Sequence, residues 1–215
     1  MANGITLVRF ILLYVLVGMA YQEGSLWQLA NFPLLVVIFI LDGIDGYVAR
    51  KRHEESLFGA IFDIAVDRIV ENVLWLVLAD LNVIPVWVAI VFVTRGFLVD
   101  SVRAHGASRG ETPFGMMTSQ IGKFLVAGRF MRIFYAVLKG TAFGYIFMIQ
   151  PWEFLYPAFY IRWHVPLELV KEVLVYVTVA LCVARGLPVI LEFALQEDGL
   201  FAALRGHGSA SKAQR

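Results

Sequence analysis

The chain has 215 residues, of which 60% are hydrophobic and only 16% are charged, and its mean hydropathy is +0.74. Soluble domains carry about 25% charged residues, so this composition excludes an ordinary soluble enzyme and favours a helical integral membrane protein. The net charge of +1 is uninformative, no nucleic-acid-binding pattern is present, and the single cysteine, Cys182, excludes an intrachain disulfide.

The apolar runs predict an all-α integral membrane fold with six transmembrane helices, whose approximate bounds in chain order are 5–21, 26–49, 56–79, 86–105, 120–149 and 166–195. Ser56 is a candidate N-cap for the third helix, and residues 80–85 form a turn before the fourth. Residues 106–119, with their Gly and Pro, are expected to form a long loop. Pro166 is expected to open the sixth helix, and Gly186 and Pro188 to kink it.

The basic residues of the predicted loops set the orientation of the chain. On one side lie Arg50, Lys51, Arg52, Arg103, Arg109, Lys123, Arg205, Lys212 and Arg215. The other side offers only Arg162, beside a Trp- and Tyr-rich stretch at 151–166 that is typical of a membrane interface. The positive-inside rule therefore predicts a protein of the cytoplasmic (inner) membrane with both termini cytoplasmic. Residues 1–204 form one predicted membrane domain, and 205–215 a disordered cytoplasmic tail.

Four aspartates lie inside the second and third predicted helices. Asp42 and Asp45 are spaced i, i+3, and Asp63 and Asp67 are spaced i, i+4, so each pair shares one helix face. A carboxylate at membrane depth costs about 2.5–3.5 kcal/mol, and facing carboxylate pairs repel unless cations lie between them. Hard divalent cations prefer such oxygen ligands, so the spacing predicts a two-metal site at the cytoplasmic side of helices 2 and 3.

The same stretch carries a longer pattern: Asp42-x-x-Asp45-Gly46-x-x-Ala49-Arg50, eight residues, then Gly59-x-x-x-Asp63-x-x-x-Asp67. This pattern resembles the signature of the CDP-alcohol phosphatidyltransferase family at every fixed position. The resemblance implies an enzyme of phospholipid biosynthesis, in which an alcohol hydroxyl attacks the β-phosphorus of CDP-diacylglycerol and CMP is released. It also implies a homodimer and two divalent ions, Mg²⁺ or Mn²⁺.

The resemblance also assigns roles to the four aspartates. Asp42, Asp45 and Asp63 are the principal metal ligands. Asp67 also contacts a metal and is the candidate general base, since family members give that role to the last aspartate. Arg68 is interpreted instead as a counter-ion for Asp63 or a neighbouring glutamate.

Three small residues and one arginine of the motif are candidates for binding the donor nucleotide. Gly46, Ala49 and Gly59 would let a cytidine ring approach the helix backbone, although close helix packing also explains such residues. Arg50 is placed to donate a forked hydrogen bond to a phosphate.

Cations on the fourth and fifth helices suggest how the acceptor alcohol is bound. Arg95 and Arg103 are about 80° apart around one helix, and Lys123 and Arg132 follow on the next element. Several cations lining a membrane cavity favour an acceptor that itself carries a phosphate. Snorkelling of these side chains toward lipid headgroups is the alternative.

Two segments resemble the phosphatidylglycerophosphate synthase branch of the family. One is residues 83–103; the other is the opening Asn3-x-x-Thr6-Leu7-x-Arg9. Gly96 departs from that branch, which usually has Glu there. The branch implies glycerol 3-phosphate as the acceptor, with inositol phosphate or another polar alcohol as the alternative.

Two other classes of membrane protein also place aspartates in spans. An intramembrane prenyltransferase has its motifs on longer, separate repeats, which 215 residues with one cluster do not match. A divalent-cation transporter needs a polar path through the rest of the membrane, and here the aspartate-bearing spans become apolar away from the cluster. The release of CMP distinguishes both classes from the transferase.

Overall fold

The computed structural model describes residues 2–22, 24, 26–52, 57–108 and 122–195, and these ranges contain helices and turns but no strand. The α-helices described, numbered in chain order, are α1 Ala2–Ala20, α2 Asn31–Arg52, α3 Leu57–Asp80, α4 Val86–Ser108, α5 Arg129–Ile149, α6 Trp152–Leu155 and α7 Pro157–Leu195. A 3₁₀ turn, Leu26–Ala30, precedes α2, and a π-helical turn, Lys123–Ala127, comes shortly before α5. The predicted all-helical fold class is confirmed.

The turn predicted between the third and fourth helices is confirmed. α3 ends at Asp80 and α4 begins at Val86. Between them Asn82 adopts a positive φ of 57°, a left-handed conformation that asparagine tolerates better than most residues. The amides of Val83 and Ile84 donate to the Leu78 carbonyl, so this turn also satisfies the end of α3.

Three of the predicted boundaries were wrong. The fifth helix, predicted at 120–149, begins at Arg129, because the π-helical turn Lys123–Ala127 ends at the non-helical Gly128. The last long helix begins at Pro157 rather than Pro166. Pro157 also suits the first helical turn, where the N–H that proline lacks would have no intrahelical partner, and Pro166 lies inside the helix. α4 continues through Ser108, so the first residues of the loop predicted at 106–119 are helical. The predicted N-cap Ser56, residues 109–119 of that loop and the tail 205–215 lie outside the described residues.

Three helical segments among the described residues are long and apolar enough to cross a membrane: Leu26–Ile44, Arg129–Leu155 and Pro157–Leu195. Gly4–Ala20 is apolar but shorter. α3 includes Asp63, Asp67, Arg68 and Glu71, and this charge lowers its hydropathy. Length and composition thus support three of the six predicted spans.

The described chain divides into two compact units. Unit 1 comprises Met1–Phe92 and Val137–Thr178, and unit 2 comprises Val93–Ala136 and Val179–Arg215. In unit 2 the core contains Val99 and Val102 of α4, Val126 of the π-helical turn and Val189 of α7.

In unit 1, α1 packs against both α2 and α3. Leu13 and Leu16 of α1 and Ile38 of α2 are fully buried there. The end of α1 is held by two amide side chains, since Gln28 Nε2 and Gln150 Nε2 both donate to the Ala20 carbonyl, at 3.1 and 3.4 Å. These contacts hold the C-terminal end of α1 within unit 1.

Trp75 is the largest fully buried side chain of unit 1 and the centre of its aromatic packing. Its ring stacks on Phe92 with 4.2 Å between centroids and lies 4.4 Å from the ring of Phe143. We expect Trp75→Ala to lower the free energy of unfolding by about 3–5 kcal/mol, as large-to-small core substitutions do. Thermal unfolding in detergent measures this loss.

Trp75→Phe is the matched control for that substitution. The indole Nε1 is buried and has no hydrogen-bond partner among the described residues, so phenylalanine keeps the stacking and removes an unsatisfied donor. We expect Trp75→Phe to unfold close to the wild-type temperature. An equal loss in both variants would contradict stacking as the source of the stability.

Candidate active site

Three of the four predicted aspartates converge at one place in unit 1. Asp42 lies in the second half of α2, while Asp63 and Asp67 lie one turn apart in the first half of α3. One carboxylate oxygen from each lies within 4.8 Å of the other two. The spacing argument therefore correctly predicted that the two helices present their carboxylates to each other. The side chain of Asp45 lies outside the described residues.

A guanidinium from α1 binds all three carboxylates. Arg9 Nη1 donates to Asp42 Oδ1, and Arg9 Nη2 donates to Asp63 Oδ1 at 3.1 Å and to Asp67 Oδ1 at 2.6 Å. The Arg9 side chain is only 1% exposed, whereas the three carboxylates are 41–52% exposed. A charge buried so completely needs paired carboxylates, so the cluster and the arginine depend on each other.

The donor set of the cluster fits a divalent cation. Mg²⁺ and Mn²⁺ favour carboxylate oxygens, and three such oxygens from two helices already lie close together. The Arg9 guanidinium shows that this arrangement binds positive charge. One positive charge against three negative ones leaves an excess of two negative charges, which matches a divalent ion.

A second group of charges lies beside the aspartates in unit 1. Glu71, one turn beyond Asp67, pairs with Lys139 of α5 at 2.7 Å and with Arg68 at 3.7 Å. Pairing of Arg68 with a neighbouring glutamate was predicted from the sequence and is confirmed. Lys139 and Arg68 also act electrostatically on Asp67 and make its surroundings less negative.

Of the predicted donor-binding residues, the structure describes only Gly59, which is partly buried near the start of α3. The backbones of Gly46, Ala49 and Arg50 belong to α2, but what surrounds these residues lies outside the described part of the structure.

The predicted acceptor-binding arginines gather in unit 2 around a residue that was not predicted. Arg185 of α7 is 6% exposed, and Arg95, Arg103 and Arg132 are close enough for their charges to repel it. Its guanidinium lies 5.2 Å from the centre of the Tyr135 ring, a cation–π contact. Arg185 Nε and Nη1 and Arg95 Nε are buried, and none of the three has a hydrogen-bond partner among the described residues. Lys123, the fourth predicted cation, lies exposed in the π-helical turn.

Gly186 allows Arg95 to approach Arg185. A Cβ added at Gly186 would lie 2.7 Å from Arg95 Cγ and 3.0 Å from Arg95 Nε, closer than real contacts. Any larger residue at 186 would therefore displace Arg95. The kink predicted at Gly186 and Pro188 stays a prediction, since α7 is described as one helix from Pro157 to Leu195.

Arg9 and Arg185 are the two site residues that sequence reasoning missed. Both are arginines inside long apolar helices, and an intramembrane charge is by default a candidate functional residue. That signal would have identified both residues, though not their partners.

The family model for CDP-alcohol phosphatidyltransferase matches residues 1–184. The chain is similar to the CDP-diacylglycerol–glycerol-3-phosphate 3-phosphatidyltransferases of Bacillus subtilis, with 30% identity over 44% of this chain and 49% of the relative, and of Rickettsia typhi, with 28% identity over 47% and 57%. It is also 28% identical to the archaetidylinositol phosphate synthase of Methanothermobacter thermautotrophicus over 70% of each chain. The chain thus spans about half the length of the first two relatives. On the match across 1–184, which includes the aspartate cluster, the chain belongs to the CDP-alcohol phosphatidyltransferase family.

Proposed function

We propose that this protein transfers a phosphatidyl group from CDP-diacylglycerol to glycerol 3-phosphate and releases CMP. The observation that carries the proposal is the convergence of Asp42, Asp63 and Asp67, within a matched family model, on a position that binds positive charge. In the reaction the acceptor hydroxyl oxygen bonds to the β-phosphorus, the phosphoanhydride bond breaks, and CMP leaves with the bonding electrons.

The proposed ligands of two divalent ions are Asp42, Asp45, Asp63 and Asp67. Bound there, Mg²⁺ or Mn²⁺ would neutralise the diphosphate and stabilise the charge that develops on CMP. Asp67 takes the proton of the attacking hydroxyl; its carboxylate is half-exposed and therefore accessible to a substrate. Gly46, Ala49 and Gly59 would accommodate the cytidine, and Arg50 would bind a donor phosphate.

The arginines of unit 2 support a phosphorylated acceptor. Arg185 is repelled by the charges of Arg95, Arg103 and Arg132, and two of its buried nitrogens have no hydrogen-bond partner among the described residues. A ligand with negative charge would offset this repulsion. A phosphate monoester accepts several charge-assisted hydrogen bonds and supplies the opposite charge. A neutral alcohol such as free inositol, or serine with no net charge, would bring no net negative charge to Arg185.

Inositol phosphate is the second candidate acceptor, because the archaetidylinositol phosphate synthase matches over a larger share of its length than the other two relatives. The experiment that tests the proposal measures CMP release by purified protein with CDP-diacylglycerol, Mg²⁺ and one acceptor at a time. The acceptors are glycerol 3-phosphate, inositol 1-phosphate, free inositol and serine. Release with inositol 1-phosphate alone would keep the reaction and replace the acceptor. The absence of CMP with every acceptor would contradict the proposed substrates and point to another lipid donor or acceptor, or to a transferase scaffold that has lost its chemistry.

We further propose the six-span topology, a homodimer, and an active site at the cytoplasmic side of the inner membrane with both termini cytoplasmic. The donor is held in the bilayer by its two acyl chains, so an aspartate cluster near the ends of two membrane helices suits it. Labelling of single cysteines at 105 and 162, in a Cys182→Ser background, tests the orientation, because the two positions are predicted on opposite sides.

Removal of divalent ions gives a direct prediction. We expect chelation by EDTA to abolish CMP release, because the excess negative charge of the cluster and the diphosphate of the donor would then be uncompensated. Excess Mg²⁺ or Mn²⁺ should restore the activity. Turnover that persists in EDTA would contradict the proposed metal site.

A further inference from the structure

Arg9 occupies a position that the metal site would also use. Its two terminal nitrogens donate hydrogen bonds to one oxygen of each of three carboxylates, and these carboxylates come from two different helices. The same three residues supply the oxygens that lie within 4.8 Å of one another. A cation bound between those oxygens would therefore meet the guanidinium at close range.

We propose that Arg9 is a resident cation of the aspartate cluster that competes with divalent ions for Asp42, Asp63 and Asp67. This inference rests on the proposed metal site. The guanidinium bridges the three carboxylates and reduces their mutual repulsion. Binding of a divalent ion requires at least some of these hydrogen bonds to break, and it places two like charges near each other.

The exposure of the two partners supports competition rather than a purely structural ion pair. Arg9 is 1% exposed and approaches the cluster from the packed side, where α1 contacts α2 and α3. The carboxylates are about half exposed, so an ion can reach them from the open side. Both cations can thus act on the same carboxylates from opposite directions.

Competition has a consequence for the order of binding. The ion is held weakly by the aspartates while Arg9 is bound to them, and the diphosphate of the donor adds negative charge that favours the ion. The chain thereby acquires tight metal binding only together with its substrate.

The test compares Mn²⁺ affinity in wild-type protein and Arg9→Gln, using electron paramagnetic resonance of free Mn²⁺ without lipid substrate. We expect Arg9→Gln to bind Mn²⁺ about tenfold more tightly or better, because the repulsion from a nearby fixed charge is gone. Arg9→Lys keeps the charge but offers a single nitrogen, so it should bind with intermediate affinity. It also provides the comparison if Arg9→Gln does not fold.

Arg68→Gln is the matched control. It also removes one positive charge near Asp67, but Arg68 pairs with Glu71 and does not bridge the three carboxylates. We expect it to tighten Mn²⁺ binding much less than Arg9→Gln. Unchanged or weaker Mn²⁺ binding in both Arg9 variants, or an equal effect of Arg68→Gln, would overturn the competition and leave the metal site in place. No Mn²⁺ binding in any variant would overturn the metal site as well.

Thermal unfolding gives a second readout that does not depend on turnover. The wild-type cluster is already neutralised in part by Arg9, whereas Arg9→Gln removes the positive charge that bridges the three carboxylates. Addition of Mn²⁺ should therefore raise the melting temperature of Arg9→Gln more than that of the wild type. An equal rise in both would contradict the proposal.

Discussion

Asp67→Asn is expected to reduce CMP release by a factor of about 10²–10⁴, the usual contribution of a general base. Asparagine has nearly the shape of aspartate, and its Oδ1 can still accept the hydrogen bond that Arg9 Nη2 donates to Asp67 at 2.6 Å. The local packing should therefore survive while the ability to take a proton is lost. Binding of CDP-diacylglycerol, measured by calorimetry in detergent, should remain close to the wild-type affinity.

Asp80→Asn is the matched control on the same helix. Asp80 ends α3 and accepts a hydrogen bond from the Tyr21 hydroxyl at 2.6 Å, at the opposite end from Asp67. We expect this variant to keep its activity. If excess Mn²⁺ restored turnover in Asp67→Asn, Asp67 would be a metal ligand alone. Normal turnover of Asp67→Asn at the Mg²⁺ concentration of the standard assay would remove Asp67 from the mechanism.

The features that the sequence could predict are those encoded by short spacings. The pairing of aspartates at i, i+3 and i, i+4 is a property of one helix turn, and the convergence of Asp42 with Asp63 and Asp67 followed from two such faces joined by a short polar segment. The turn at 80–85 was also local, because it combines polar residues with Pro85 between two apolar runs. The helical class followed from composition.

Tertiary partners could not be predicted in this way. Arg9 is 33, 54 and 58 residues from the three aspartates that it binds, and no local pattern relates α1 to them. In the sequence, Arg9 was noted only as part of the opening that resembles one branch of the family. The predicted start of α7 was wrong for another reason: Pro166 was interpreted as the first residue of the helix, although a proline within a long apolar helix is tolerated when neighbouring groups satisfy the freed carbonyl.

Among the arginines of unit 2, some could be predicted from local spacing and one could not. Arg95 and Arg103 were grouped as candidate acceptor-binding residues from their spacing on α4, and Arg132 was added from the next helix. Arg185 lies far along the chain, and Gly186 was interpreted only as a kink site. The close approach of Arg95 explains why a residue without a Cβ stands there. Small residues in membrane helices thus have more than one cause, which only packing distinguishes.

Arg185→Met is expected to raise the KM for glycerol 3-phosphate by about 10–100-fold, the loss of one or two charge-assisted hydrogen bonds. The KM for CDP-diacylglycerol should not change. The same variant should be more stable than the wild type without substrate, with a melting temperature about 2–4 °C higher per kcal/mol gained. Methionine keeps most of the volume and removes a buried charge that Arg95, Arg103 and Arg132 repel.

Opposite effects on stability and acceptor affinity distinguish a binding site from a structural cluster. Arg162→Met makes the same chemical change in an exposed part of α7 and should alter neither property. Glycerol 3-phosphate should also stabilise the wild type and Arg162→Met more than Arg185→Met, because at a given concentration a ligand stabilises more strongly the protein that binds it with the lower Kd. A variant that gains stability at an unchanged acceptor KM would show that these arginines bind another anion. If Arg185→Met were less stable than the wild type, favourable contacts of Arg185 would outweigh its repulsion by the other arginines.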